Sequence, residues 1–194
     1  MRQVSLKRDT AETSVSVEWI LDGRGAAAID TGIGFFDHML TLMGRHGLFD
    51  LTVKARGDLA VDAHHTVEDC GIVLGSALKE ALGNKEGINR YGSAFVPMDE
   101  ALAHAAVDLS GRAYLVFNAK FPPAAGGFDF ALVEEFFRAF SGKAELTLHI
   151  NLLYGANAHH MAEAVFKAFA RALCRAAAFN DRIGGVLSTK GVLT

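Results

Sequence analysis

The stretch His64-His65-Thr66-Val67-Glu68 returns 95 positions later as His159-His160-Met161-Ala162-Glu163. Four of the eight histidines of the chain lie in these two copies. Positions three and four apart share a face of a helix. His64 or His65 can therefore point with Glu68, and His159 or His160 with Glu163. Imidazole and carboxylate together are the donor set of a divalent cation. A single such cluster is more often a solvated helix face, but two copies at matching places in a doubled chain point to a duplicated metal site.

The full set of candidate ligands is His38, His64, His65, Glu68, Glu135, His159, His160 and Glu163. No thiolate joins them, which suits Mn²⁺, Fe²⁺ or Zn²⁺ and disfavours a soft sulfur site. Eight ligands are too many for one ion. Two ions, each with four protein ligands and open positions, is the natural division, and open positions favour catalysis over a structural plug. Adjacent residues of a helix diverge by about 100°, so His64 and His65 cannot easily serve the same ion. One of them can look across a subunit contact, and sites shared between subunits are expected. Glu135 takes the slot of His38 in the second copy. His46, His104 and His149 are assigned to structure.

A second group is cationic. Arg90 sits beside Tyr91-Gly92 and Arg112 in the turn Ser110-Gly111-Arg112. Lys167 follows His159 by two helical turns, and Ser188-Thr189-Lys190-Gly191 lies in a glycine-punctuated tail. Singly, each reads as a solvated cation. Together they could form a phosphate cradle, since Arg forks match phosphate oxygens and Lys adds a point charge.

The elements that must position these groups also come twice. Glu12 matches Glu100 and Arg24 matches Arg112 at one constant offset of 88. In the first half, Ser14–Leu21 and Ala26–Asp30 read as strands, Gly34–His46 as a helix, Leu48–Arg56 as a strand continued by Leu59–Val61, and His64–Leu82 as a long helix. In the second, Ala101–Leu109, Ala113–Asn118 and Ala144–Tyr154 read as strands, and Asp129–Phe140 and Ala158–Ala178 as helices. The segment Phe121–Gly127 reads as a loop, and Gly83–Ser93 as the link between halves. The expected fold is α+β, with two half-domains (about 1–88 and 89–194) forming one catalytic domain and helices packed on one face of mostly antiparallel sheets.

Composition narrows the class. Of 194 residues 51% are hydrophobic and the net charge is −3. A core is affordable, no basic face invites nucleic acid, and no apolar run reaches membrane-spanning length. Met1–Arg8 lacks the apolar core of a signal peptide. Cys70 and Cys174 read as buried reduced thiols, in keeping with a cytoplasmic protein.

From Glu12 through Lys190 the chain resembles the imidazoleglycerol-phosphate dehydratase family. The motifs are Gly34-Phe35-Phe36-Asp37-His38-Met39-Leu40, Asp62-Ala63-His64-His65-Thr66-Val67-Glu68-Asp69, the run from Ala158 through Lys167, and Ser188-Thr189-Lys190-Gly191. The resemblance implies a duplicated ribosomal protein S5 domain 2-like fold, and trimers assembled into a hollow 24-subunit particle with Mn²⁺ at subunit contacts. It implies the ligands His38, His64, His65, Glu68, His159, His160 and Glu163. Glu135 stands where the family often has His, and is kept as the eighth ligand. It implies substrate contacts at Glu12, Arg90, Arg112, Lys167, Ser188 and Lys190, with catalytic roles for Glu12, Glu68 and Glu163. The implied reaction removes water from D-erythro-imidazole-glycerol phosphate to give imidazole-acetol phosphate. The difficulty is carbon acidity, because no carbonyl adjoins the proton to be lost. An imidazole held through both nitrogens between two cations can become imidazolate and expel the neighbouring hydroxyl. A carboxylate, assigned to Glu12, then takes the acidified proton. Two other readings stay open on the residues alone: a dinuclear metallohydrolase, and a protein whose cations only staple subunits.

Overall fold

The computed structural model describes residues 1–122 and 127–193. Each half contributes four strands and two helices in the same order. The first half runs β1 (Gln3–Asp9), β2 (Thr13–Ile20), β3 (Ala27–Asp30), α1 (Gly34–Gly47), β4 (Asp50–Gly57) and α2 (His64–Leu82). The second runs β5 (Tyr91–Met98), β6 (Ala101–Asp108), β7 (Tyr114–Asn118), α3 (Ala131–Ala144), β8 (Thr147–Tyr154) and α4 (Ala158–Ala177). The sheets have matching strand orders, β1-β2-β4-β3 and β5-β6-β8-β7. Two pairings in each sheet are antiparallel; β3–β4 and β7–β8 are parallel. Helices cover one face of each sheet. The helices of one half then pack on those of the other, α2 against α3 and α1 against α4.

This helical layer between the sheets is the core. Phe136, Phe137, Phe140, Phe166 and Phe169 are fully buried there, with ring centroids 5.0–6.0 Å apart. Trp19 reaches in from β2 and meets Phe140 at 6.4 Å, tying the first sheet to a second-half helix. Burying each such ring contributes roughly 2–3 kcal/mol. Two glycines set how closely α2 and α3 approach. A Cβ at Gly71 would lie 2.7 Å from the Phe136 carbonyl oxygen, and one at Gly75 would lie 2.4 Å from that of Phe140.

The sequence did not foretell β1 and β5. In β1 only Val4 and Leu6 alternate inward, followed by Lys7 and Arg8, so its period-two signal is short. β5 carries Gly92 and Pro97, which argue against a strand interior. Both are edge strands, where proline is tolerated. A Cβ at Gly92 would lie 2.0 Å from the Ala172 carbonyl oxygen, so that glycine lets α4 lie against the strand. The expected link Gly83–Ser93 therefore ends inside β5.

Three further boundaries differ. Leu59–Val61 forms a turn closed by Val61 N–H donating to the Asp58 carbonyl at 2.8 Å, not a strand extension. α3 starts at Ala131, where the Asp129 carboxylate accepts the Ala131 N–H at 2.9 Å, and runs through Ala144. Glu145 then adopts φ 50°, which delays β8 to Thr147. Of the expected loop over 121–127, residues 123–126 lie outside the described residues.

Candidate metal centre and anion cavity

Both histidine pairs sit in the first turn of a long helix. α4 is capped by Asn157, whose side-chain oxygen accepts the His159 N–H at 2.9 Å and the His160 N–H at 3.3 Å. At α2 the Asp62 carboxylate accepts the His64 N–H at 2.7 Å. The Asn157 cap contributes about 1 kcal/mol and fixes the direction in which the first side chains leave α4. α1 runs beside α4 and brings in His38 from the first half.

His38, His159 and Glu163 converge. Nε2 of His38 lies 3.0 Å and Nε2 of His159 2.9 Å from the same oxygen, Oε1 of Glu163. One donor atom from each residue lies within 4.8 Å of the others. The Lys167 ammonium donates to Oε2 of Glu163 at 2.6 Å and contacts Sδ of Met98 at 3.3 Å. The donor set fits a borderline-hard divalent cation: two imidazoles, one carboxylate and no thiolate. Three protein ligands also leave positions for substrate or for groups from another subunit.

Burial pushes the Glu163 carboxyl upward, but hydrogen bonds from Lys167, His38 and His159 overcome it and hold the group down at about 2, against an ordinary 4.5. A carboxyl with a lowered folded-state pKa stabilises fully above its unfolded value and loses that stabilisation as pH falls. In cation-free protein, Glu163 should therefore contribute above about pH 4.5 and nothing below about pH 2. The full effect is about 3 kcal/mol. Denaturant unfolding of wild type and Glu163→Gln across that window checks this. A pH-independent difference between the two would contradict the lowered value.

His64, His65, Glu68, Glu135 and His160 do not join this cluster; among the described residues His38, His159 and Glu163 form the one such group. The ring centroids lie 6.1 Å apart for His64 and His65 and 6.4 Å apart for His159 and His160, and the second pair parts, His159 turning to Glu163 and His160 to Glu100. His65 Nδ1 lies 3.0 Å from the Asp58 carboxylate, and His160 Nδ1 lies 2.8 Å from that of Glu100. Those contacts are the main reason both imidazoles are raised above their ordinary pKa. Glu100 also accepts the backbone N–H groups of Ala156 at 3.1 Å and Asn157 at 2.8 Å. The His160 contact first, and then these amides, hold its carboxyl at about 2. Glu68 is half-buried at the start of α2, and Glu135 lies on α3, 3.9 Å from Arg138 Nε.

Glu12 is exposed in the turn between β1 and β2, and Glu100 in the corresponding turn between β5 and β6. An oxygen of Glu12 lies 3.9 Å from Nε2 of His65.

Arg90, Arg112, Arg182, Ser188, Thr189 and Lys190 line one open cavity of about 950 Å³. Among the described residues no Asp or Glu side chain lines it. The Arg90 fork is already engaged: Nε and Nη2 donate to Asp108 at 2.7 and 3.1 Å, and Nη1 donates to the Leu187 carbonyl at 2.9 Å. Arg90 thereby holds the C-terminal tail against the cavity wall. Arg112 and Lys190 are exposed and form no ion pair among the described residues. Lys167 lies outside this wall, at the imidazole–carboxylate cluster.

Sequence reasoning passed over Asp58, Met98 and Asp108. Glu100 was visible as the repeat partner of Glu12, and the constant offset was the signal that could have found its role. His46 is half-buried at the end of α1, and burial, with Lys167 and Arg171 nearby, lowers its pKa. His104 and His149 lie on the outer face of the second sheet, His104 against the Phe95 ring at 4.3 Å.

Residues 31–173 match the family model described as imidazoleglycerol-phosphate dehydratase. The imidazoleglycerol-phosphate dehydratase of Syntrophus aciditrophicus is 60% identical over 195 residues, which cover 100% of this chain and 99% of that protein. The crystal structure of the enzyme of that name from Staphylococcus aureus superposes with a TM-score of 0.83 at 44% identity, covering 92% of this chain and 99% of that one. The one from Pyrococcus furiosus gives 0.85 at 38%, covering 97% and 100%.

Proposed function

Since this chain belongs to the imidazoleglycerol-phosphate dehydratase family, and is thus a hydro-lyase of histidine biosynthesis, we propose that it works with two Mn²⁺ ions per active site, at centres completed between subunits. The convergence of His38, His159 and Glu163 is the observation that carries this reading. It supplies three ligands from one protomer. His64, His65, Glu68, Glu135 and His160 lie elsewhere on the same chain, where they can supply a neighbour. The outer face of the second sheet, which exposes Phe95, Tyr114, Leu153 and Tyr154, favours burial against other copies. A homo-oligomer follows, with the family's 24-subunit assembly of trimers as the expected form. Among the described residues no helix is long and apolar enough to cross a membrane. A biosynthetic enzyme of this kind is assigned to the cytoplasm.

When bound, the cations act as Lewis acids and as a template for the substrate imidazole. The protein groups do the rest. Glu68 and Glu163 hold the cation face of the site and keep its charge balanced. Glu12, exposed on its turn, exchanges a proton with the reacting carbon. Arg90, Arg112, Ser188 and Lys190 receive the phosphate and fix the far end of the substrate, and Lys167, paired with Glu163, contacts the substrate at the cation end. Arg90 can do so by sharing its fork with Asp108.

Counting Mn²⁺ per chain in reconstituted protein tests the reading, which requires about two; one ion or fewer per chain at saturation would end it. Arg112 tests the cradle. A charge-assisted bond lost from a phosphate site costs enough to raise KM about tenfold to a hundredfold, with kcat changed less. Steady-state kinetics of Arg112→Ala measures this, and an unaltered KM removes Arg112 from the cradle.

A further inference from the structure

The second histidine of each pair is held from behind by a carboxylate. Asp58 Oδ2 stands 3.0 Å from Nδ1 of His65, and Glu100 Oε2 stands 2.8 Å from Nδ1 of His160. In both rings Nε2 makes no hydrogen bond among the described residues. Its nearest carboxylate oxygens belong to Glu12 at 3.9 Å and Asp99 at 3.8 Å. A neutral imidazole carries one proton, and a carboxylate beside one nitrogen draws the proton there. The opposite nitrogen is left with a bare lone pair, aimed by a ring that can no longer turn freely.

The two braces have different origins. Glu100 occupies the β5–β6 turn, and the corresponding residue of the first half is Glu12, which does not bond Nδ1 of His65. Asp58 instead follows the end of β4 and opens the turn closed by Val61. The duplication therefore did not copy one brace into both halves. The same ring atom is engaged twice, from unrelated positions. In both halves the engaged atom is the nitrogen nearer the backbone, which leaves the outer nitrogen, Nε2, as the one offered. Asp58 also keeps its other oxygen, Oδ1, buried without a hydrogen bond among the described residues, a cost that local packing alone does not explain.

We infer that Asp58 and Glu100 are positioning residues, which place the proton of His65 and His160 on Nδ1 and so offer Nε2 to a divalent cation. This rests on the reading of those two histidines as ligands and adds the groups that aim them. It also separates the twin carboxylates: Glu100 is tied to His160 and two backbone amides, whereas Asp58 releases Glu12 from that duty and leaves it open for proton transfer.

Two measurements on the full-length protein test it. The first is the ¹⁵N spectrum of histidine-labelled, cation-free protein, read as pH is raised until both imidazoles, held up by their carboxylates, have become neutral. Wild type should show His65 and His160 protonated on Nδ1. Asp58→Ala should move the His65 proton to Nε2 and leave His160 unchanged, while Asp58→Asn, whose amide oxygen still accepts, should keep the wild-type form. The second is titration with Mn²⁺ followed by electron paramagnetic resonance. Asp58→Ala should weaken one class of site about tenfold to a hundredfold, with Asp58→Asn nearer wild type. Nε2 protonation of either ring in wild type overturns the inference with no variant needed, so a poorly folding Asp58→Ala does not shield it. Wild type that binds two ions, together with Asp58→Ala that binds them equally well, overturns the inference alone. Wild type that binds no Mn²⁺ while both rings remain protonated on Nδ1 overturns the ligand reading and takes the inference with it.

Discussion

Protein stripped of divalent cations is expected to turn over imidazoleglycerol phosphate at least about a thousandfold more slowly than protein reloaded with Mn²⁺. A cation of this kind supplies several kcal/mol of transition-state stabilisation, and each 1.36 kcal/mol is tenfold in rate. The loss should be reproduced by His159→Ala without any chelator, because Nε2 of His159 is one of three donors within 4.8 Å. Sedimentation of the same samples separates catalysis from stapling. If the stripped protein remains assembled and is inactive, the ions do chemistry. If stripped protein retains its turnover with no detectable metal, the two-ion reading fails, and the imidazole–carboxylate cluster becomes a hydrogen-bonded clasp between α1 and α4.

Glu12→Gln should lower kcat by about two orders of magnitude or more, the range of a lost general acid–base group, with cation content unchanged. The isosteric amide keeps size and polarity and removes only the proton-exchanging function. Glu12 suits the role by contrast with Glu100. The two occupy corresponding hairpin turns, yet Glu100 is bound by His160 and two backbone amides, and its carboxyl is held at about 2. Glu100 is too weak a base, and too fully bonded, to exchange protons near neutrality. The same substitution at Glu100 would instead disturb the start of α4. Unchanged turnover in Glu12→Gln would remove it from the mechanism.

The elements that carry ligands could be read in the sequence because their signals are strong. α2 and α4 combine a repeated motif with long amphipathic stretches, and both begin within a residue of the positions their histidines suggest. β1 and β5 were hidden because edge strands need to bury little: β1 buries Val4, and β5 buries Ala94. At the site, residue types identified the donors but not their company. Helical geometry foretold that neighbouring histidines diverge, and His159 and His160 turn to different carboxylates, Glu163 and Glu100. It could not foretell that the Arg90 fork would close on Asp108, which depends on how the segment before β5 meets β6, whereas the Lys167–Glu163 pair is an i,i+4 contact within α4 that helix spacing allows. Asp58 carried no sequence signal, because it lies in the connection between β4 and α2, which is longer than that between β8 and α4 and so has no repeat partner to mark it.

His38 and Glu163 are neighbours in space but lie 125 residues apart along the polypeptide. A ribosome extends the chain by more than a hundred residues after His38 before the residues that complete this cluster are made. Nascent protein therefore passes most of its synthesis without this trio. If the trio holds the proposed cation, it can be loaded only after that point, late in the making of the chain.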